Sequence, residues 1–304
     1  MDITFADQRL YADTGPQPLQ PGQPTVLCIH GVLNDHSVWT PFLAPLAQRG
    51  WNVLAVDLPG HGRSAGTPPA SVADAASRLL AMLDALDIYR VAVVGHSWGS
   101  LIALHLAAME PARVQRLVLV GTAFPMKVSP ALLDMAESDP DQAIDLIARY
   151  SHTAPAAPSA ETAADPASAP IEVSRALMHR VLDGNPQGQP PGPIDAMLTE
   201  TTDYDQLYRD FRWDIPARFN IATAACDRYA DGLTDMARVR CPVTFVLGEV
   251  DRMTPAKAAR SLIEAAGPLG QTHVLPGGHD LMAEATDALL QVLQEALPEV
   301  ATPA

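Results

Sequence analysis

The stretch Val91–Ala103, V-A-V-V-G-H-S-W-G-S-L-I-A, limits this chain to few folds. Val91 to Val94 read as a strand buried on both faces, and the Ala/Leu-rich run that follows predicts a helix to about Met109. Between them Gly95-His96-Ser97-Trp98-Gly99 leaves no length for a loop. A strand that turns straight into a helix around G-x-S-x-G holds its serine in a strained backbone conformation. Gly95 and Gly99 flank it because a Cβ at either place collides with neighbouring backbone. The predicted result is a serine hydroxyl at a strand's carboxyl end, above a helix N-terminus. The pattern alone occurs in roughly one unrelated chain in ten of this length. Its meaning therefore depends on the rest of the chain.

Short apolar runs alternate with helical periods on both sides of that stretch. Ile3–Phe5 and Arg9–Tyr11 read as a hairpin, and Val26–His30, Val53–Val56 and Leu117–Gly121 as buried strands. Helices are predicted near Pro41–Arg49 and over Ser71–Leu86, the latter with Val72, Ala75, Ala76, Leu79, Leu80 and Leu83 on one face. From Phe124 to Asp235 the strand signal stops. Helical candidates there are Pro130–Tyr150, Ile171–Leu182, Ile194–Asp210 and Pro216–Leu233. The Ala/Pro-rich run Ser151–Pro170 between the first two lacks the apolar content to bury a core and reads as a mobile loop. The alternation then resumes with a strand at Pro242–Leu247, a helix at Pro255–Ala266, a strand at His273–Leu275 and a helix at Asp280–Ala296. Such alternation predicts an α/β fold with a mostly parallel sheet covered on both faces. The expected division is a core of residues 1–123 and 236–304 with an inserted helical cap at 124–235.

Composition excludes several classes. A net charge of −15 disfavours nucleic acid and anionic membrane surfaces, which require clustered Lys and Arg. No apolar run reaches the ~20 residues that span a bilayer. The opening Met1-Asp2-Ile3-Thr4 lacks the basic and apolar regions of a signal peptide, so a cytoplasmic protein is expected. Three widely spaced cysteines with no C-x-x-C pair suggest neither a disulfide framework nor a zinc site.

A serine hydroxyl needs a base to become a nucleophile, and an imidazole needs a carboxylate to fix its tautomer. On this type of sheet the order is Ser, then Asp or Glu, then His. The chain offers Ser97, then Asp251 in Gly248-Glu249-Val250-Asp251, then His279 in Gly277-Gly278-His279, each in a loop directly after a predicted strand. Glu249 is the rival acid. His30, His61 and His96 are rival bases near the same edge, although His96 adjoins the serine and should point away from it into packing. The developing oxyanion needs aimed donors, for which the N–H groups of Trp98 and Val32 are the candidates.

His30-Gly31-Val32, Asp57-Leu58-Pro59-Gly60-His61-Gly62-Arg63-Ser64, Gly95–Gly99, Gly248–Asp251 and Gly277–His279 together resemble the α/β-hydrolase superfamily. The resemblance implies an eight-stranded, mostly parallel sheet, a helical cap after the sixth strand and no cofactor or metal. It also implies Ser97, Asp251 and His279 as catalytic triad, with Val32 and Trp98 N–H groups as oxyanion hole. The expected activity is a carboxylesterase of the serine-hydrolase type, acting on small to medium, largely apolar acyl esters. Its pocket is expected to draw on His30, Trp39, Met126, Leu146, Tyr150 and Met178. A C–C bond hydrolase of ring-cleavage products would use the same triad, and a non-catalytic small-ligand receptor would use the same fold. No feature of the sequence fixes the oligomeric state.

Overall fold

The computed structural model describes residues 1–6, 8–153, 174–178 and 214–300. The first half contains β1 (Asp2–Phe5), β2 (Gln8–Asp13), β3 (Thr25–Ile29), α1 (Thr40–Gln48), β4 (Asn52–Val56), α2 (Val72–Ala85), β5 (Val91–His96), α3 (Trp98–Met109) and β6 (Val114–Val120). Helices α4 (Pro130–Ser138), α5 (Pro140–Ser151), α6 (Asp214–Arg228) and α7 (Gly232–Met236) follow. The chain then gives β7 (Val243–Gly248), α8 (Arg260–Ala266), β8 (Gly270–Leu275), α9 (Leu281–Glu284) and α10 (Thr286–Ala296).

The eight strands form one sheet in the order β1-β2-β4-β3-β5-β6-β7-β8. β1 pairs antiparallel with β2 and β2 with β4, and every other neighbour is parallel. Every residue of β3, β4, β5 and β7 is buried, which is why these strands read as unbroken apolar runs. Strand alternation sorts them onto two cores. Leu27, Ile29, Val91 and Val93 face α2 and α3, whereas Val26, Cys28, Ala92 and Val94 face α1 and α10. Helix α3 is apolar on nearly all sides, with only His105 and Met109 outside the buried set, as its central place requires.

Several predicted elements differ in extent. The single helix expected over Pro130–Tyr150 is two, broken at Asp139, whose extended backbone (φ −150°, ψ 76°) is what a residue before proline prefers. The helix expected from Pro216 to Leu233 is α6 followed by the short α7. The last helix is interrupted at Ala285 (φ −136°). The final strand is longer than its apolar signal, because Gly270–Thr272 pairs along β7 while its side chains stay partly exposed at the sheet edge. The mobile loop expected over Ser151–Pro170 is contradicted at its start: Ser151 ends α5, and Ser151 and His152 are buried, fixed by bonds to His279 and Glu284. Positions 154–170, the helix at Ile194–Asp210 and most of that at Ile171–Leu182 lie outside the described residues; positions 174–178 are helical.

The helices between β6 and β7 carry a separate apolar cluster. Ala136, Ala143, Ile144, Ile147, Ala148, Met178 and Phe219 pack there around Leu33, which belongs to the loop after β3. Leu33 thus ties this section to the carboxyl edge of the sheet.

Candidate active site

The loops after β3, β5, β7 and β8 leave one edge of the sheet, the carboxyl ends where parallel α/β sheets collect ligands. They bring Val32, Ser97, Asp251 and His279 to that edge. Ser97 adopts φ 52° and ψ −119°, a left-handed backbone unusual for a non-glycine residue. Close approach explains its neighbours: a Cβ on Gly95 would lie 2.1 Å from the Gly99 carbonyl oxygen, and one on Gly99 would lie 2.4 Å from that of Ile29. The Ser97 N–H donates to Val120 O at 2.9 Å. Ser100 Oγ bonds Thr122 Oγ1 at 2.8 Å and the Ser97 carbonyl, clamping the turn from beneath.

Asp251 and His279 are paired. His279 Nδ1–H donates to Asp251 Oδ2 at 2.8 Å. The same carboxylate accepts the N–H groups of Met253 and Thr254, each at 2.8 Å, and Thr254 Oγ1 lies 2.8 Å from Asp251 Oδ2. Burial pushes the Asp251 carboxyl up, but the His279 ring and the Thr254 donors outweigh it and hold the group well below the usual carboxylate range. An ionised Asp251 keeps the proton of neutral His279 on Nδ1, which leaves the Nε2 lone pair available to take another. Glu249, the rival acid, is exposed, and its N–H is spent on Leu275 O.

Ser97 and His279 line one cavity of about 420 Å3, together with Gly31 and Val32. The Trp98 N–H is the first of α3, where helix geometry provides no intrahelical acceptor and the helix dipole favours negative charge. The cavity wall is apolar on the side of the inserted helices, where Met126, Leu146, Tyr150 and Met178 contribute.

Two expected wall residues are elsewhere. His30 is fully buried: its Nε2 accepts the Leu58 N–H at 3.0 Å and its Nδ1–H donates to Gly31 O at 2.7 Å, so the ring staples the end of β3 to the following loop. Trp39 is fully buried on the opposite core face, its ring 6.0 Å from that of Phe42. His30 directly follows β3 and Trp39 directly precedes α1, and both face into packing rather than into the cavity.

His96 does more than pack. Its Nε2–H donates to the His279 carbonyl oxygen at 3.0 Å, and the two rings lie 4.8 Å apart. Burial, with the His279 ring adding to it, pushes its pKa down to about 3. His96 and Thr254 thus brace the imidazole, and neither role carries a sequence signal beyond adjacency to a motif. His61 is buried between His30 and Trp98, at ring distances of 5.2 and 5.7 Å.

Among the described residues, one group brings metal-ligand atoms together: Asp35, His36 and Asp57, within 4.8 Å of one another. Asp57 already accepts the His36 N–H at 2.7 Å, His36 Nδ1–H at 2.8 Å and the Arg63 N–H at 2.8 Å, and Asp35 accepts the Ser37 N–H at 2.8 Å. These bonds make the group a loop staple. Among the described residues no helix is long and apolar enough to cross a membrane.

Comparison with known proteins agrees with this architecture. A model of the alpha/beta hydrolase fold family matches residues 24–286. Lipase LipV of Mycobacterium tuberculosis is 37% identical over 134 residues, which are 40% of this chain and 51% of LipV. A dihydrolipoyllysine-residue acetyltransferase component of an acetoin cleaving system from Pseudomonas putida is 40% identical over 103 residues, 34% of this chain and 27% of that one. The chain thus spans about half or less of the length of these curated relatives. Among solved structures, the enol-lactonase of Burkholderia xenovorans LB400 superposes with a TM-score of 0.75 at 20% identity, covering 98% of this chain and 100% of that one. An esterase of Exiguobacterium antarcticum gives 0.69 at 17% identity, with 97% and 98% covered. The match over residues 24–286, on a sheet of this order, means that the chain belongs to the alpha/beta hydrolase fold family.

Proposed function

We propose that this chain is a serine hydrolase that cleaves small to medium, largely apolar acyl esters through an acyl-enzyme. The observation that carries the reading is the 2.8 Å bond from His279, on the wall of the cavity that also holds the strained Ser97, to a buried, ionised Asp251. Ser97 Oγ attacks the ester carbonyl carbon and its proton passes to His279 Nε2, while Asp251 stabilises the imidazolium. The Val32 and Trp98 N–H groups donate hydrogen bonds to the oxyanion. Collapse of the adduct expels the alcohol, which leaves with the proton from His279. Water then gives its proton to His279, attacks the acyl carbon, and the acid departs as Ser97 regains its hydrogen.

The helices inserted between β6 and β7 serve as the cap of this site and supply the acyl-facing wall. A volume of about 420 Å3 suits a small ligand rather than a polymer. The lipase and esterase named above, as relative and as structural neighbour, support ester chemistry. Hydrolysis of p-nitrophenyl esters from acetate to octanoate by the wild type and by Ser97→Ala tests the reading. Loss of turnover is expected in the variant; equal rates would remove Ser97 from the mechanism.

A further inference from the structure

The last turn of α5 is fastened to the two loops that carry Asp251 and His279. Its Ser151 carbonyl accepts the N–H of His279 at 2.7 Å and that of Asp280 at 3.1 Å. One carboxylate then joins three chain segments. Glu284 Oε1 accepts His152 Nδ1–H and the Thr153 N–H, both at 2.8 Å, and Glu284 Oε2 accepts the Gly278 N–H at 2.6 Å. From the other side, Arg252, next to Asp251, donates to the carbonyls of Arg149 and His152. The His152 side chain is 1% exposed and Glu284 is 8% exposed, so water competes little for these bonds. Burial raises the Glu284 carboxyl, yet the His152 bond and the Gly278 and Thr153 donors outweigh it and keep the group ionised. The same α5 places Leu146, Ile147 and Tyr150 in the cavity wall. One helix therefore both shapes the acyl cavity and holds the loop of the base.

We propose that His152 is a positioning residue for His279, acting through Glu284 and the Gly278 N–H, so that the imidazole is correctly set only while the end of α5 is docked. The inference rests on the reading of His279 as the general base. Its physical basis is that residues 278–280 have no strand or helix of their own to hold them: they lie between the end of β8 at Leu275 and the start of α9 at Leu281. Their backbone donors are instead spent on Ser151 and Glu284. Removing His152 frees one of three bonds on Glu284 and loosens the segment where a shift of ~1 Å in the base can cost about 100-fold in rate. His152 meets neither Ser97 nor the cavity, so its loss should act on turnover and not on substrate binding.

The test uses the full chain with p-nitrophenyl butyrate. His152→Ala is expected to lower kcat about 10–100-fold with KM within about twofold of wild type. His152→Asn, whose amide nitrogen stands where Nδ1 stood, is expected to recover most of that loss. Glu284→Gln is a second route to the same break should His152→Ala not fold; it should lower kcat in the same way. A rise in KM at unchanged kcat, wild-type kcat in His152→Ala or Glu284→Gln, or an Asn variant no better than Ala, overturns the proposal. A readout independent of turnover separates this from the ester reading. The downfield proton resonance of His279 Nδ1–H, identified by its absence in His279→Gln, should shift or broaden in His152→Ala and return in His152→Asn. If the wild type shows no Ser97-dependent ester cleavage, the functional reading fails while this resonance still decides the positioning role.

Discussion

His96 gives its Nε2–H to the backbone carbonyl of His279 across 3.0 Å, so the residue before Ser97 holds the chain of the proposed base. The bond fixes the tautomer, because a carbonyl only accepts, while burial and the neighbouring His279 ring keep the His96 ring neutral. An imidazolium at this place would set a positive charge 4.8 Å from the ring that becomes positive in the proposed turnover.

That neutrality makes stability depend on pH. The folded pKa of His96 is depressed to about 3 from 6.5 by burial and by His279, so between these values the unfolded chain binds a proton that the folded chain does not. Stability is therefore complete above pH 6.5 and falls as pH drops toward 3. Burial lowers His30 as well, with the same sign. His96→Gln keeps a donor for the His279 carbonyl and removes the titration. Its urea midpoint is predicted to drop less than that of wild type between pH 7 and pH 4.5; an equal drop would show that His96 is protonated in the fold.

Asp251→Asn is predicted to lower kcat by about 10⁴-fold, the scale of the corresponding change in a serine protease, with little effect on KM. The amide no longer favours the proton on His279 Nδ1. Glu249→Gln, on an exposed side chain, is predicted to leave kcat within about twofold. Steady-state kinetics of the two variants decide between the carboxylates, and the reverse result would assign the acid to Glu249. Asp251 also contributes to acid sensitivity: its folded pKa lies below the unfolded 3.8, so the stabilisation it gives above that value is lost as pH falls further.

The contrast between Gly99 and Trp39 shows what the sequence makes legible. Gly95, Ser97 and Gly99 are demanded by contacts within one short turn and with the adjoining strand, so the local pattern carries the geometry. Asp251 and His279 follow from their places after apolar strands in a sheet whose functional edge is known. Trp39 and His30 are different. Whether an aromatic ring after a strand faces the cavity or the far core depends on helix placement, and α1 turns Trp39 toward Phe42. His152 follows a helix whose partner, Glu284, is far along the chain. No periodicity encodes that meeting.

Acyl specificity should respond to the cavity wall and not to Trp39. Leu146→Trp fills space in the apolar wall and is predicted to lower kcat/KM for octanoate at least about 10-fold relative to acetate. Trp39→Leu is predicted to cost about 1–3 kcal/mol of stability and leave the chain-length profile unchanged. Esterase assays across acyl lengths, with urea unfolding of both proteins, check the pair. A shifted profile in Trp39→Leu would return that residue to the pocket.

The most direct measurement of the central claim is intact-protein and peptide mass spectrometry after treatment with a p-nitrophenyl alkylphosphonate. A serine activated by His279 is predicted to take up one phosphonyl group, on Ser97, with ester hydrolysis lost in proportion; His279→Gln should be labelled far more slowly. Labelling that spares Ser97, or full hydrolysis by a protein stoichiometrically modified there, would contradict the account.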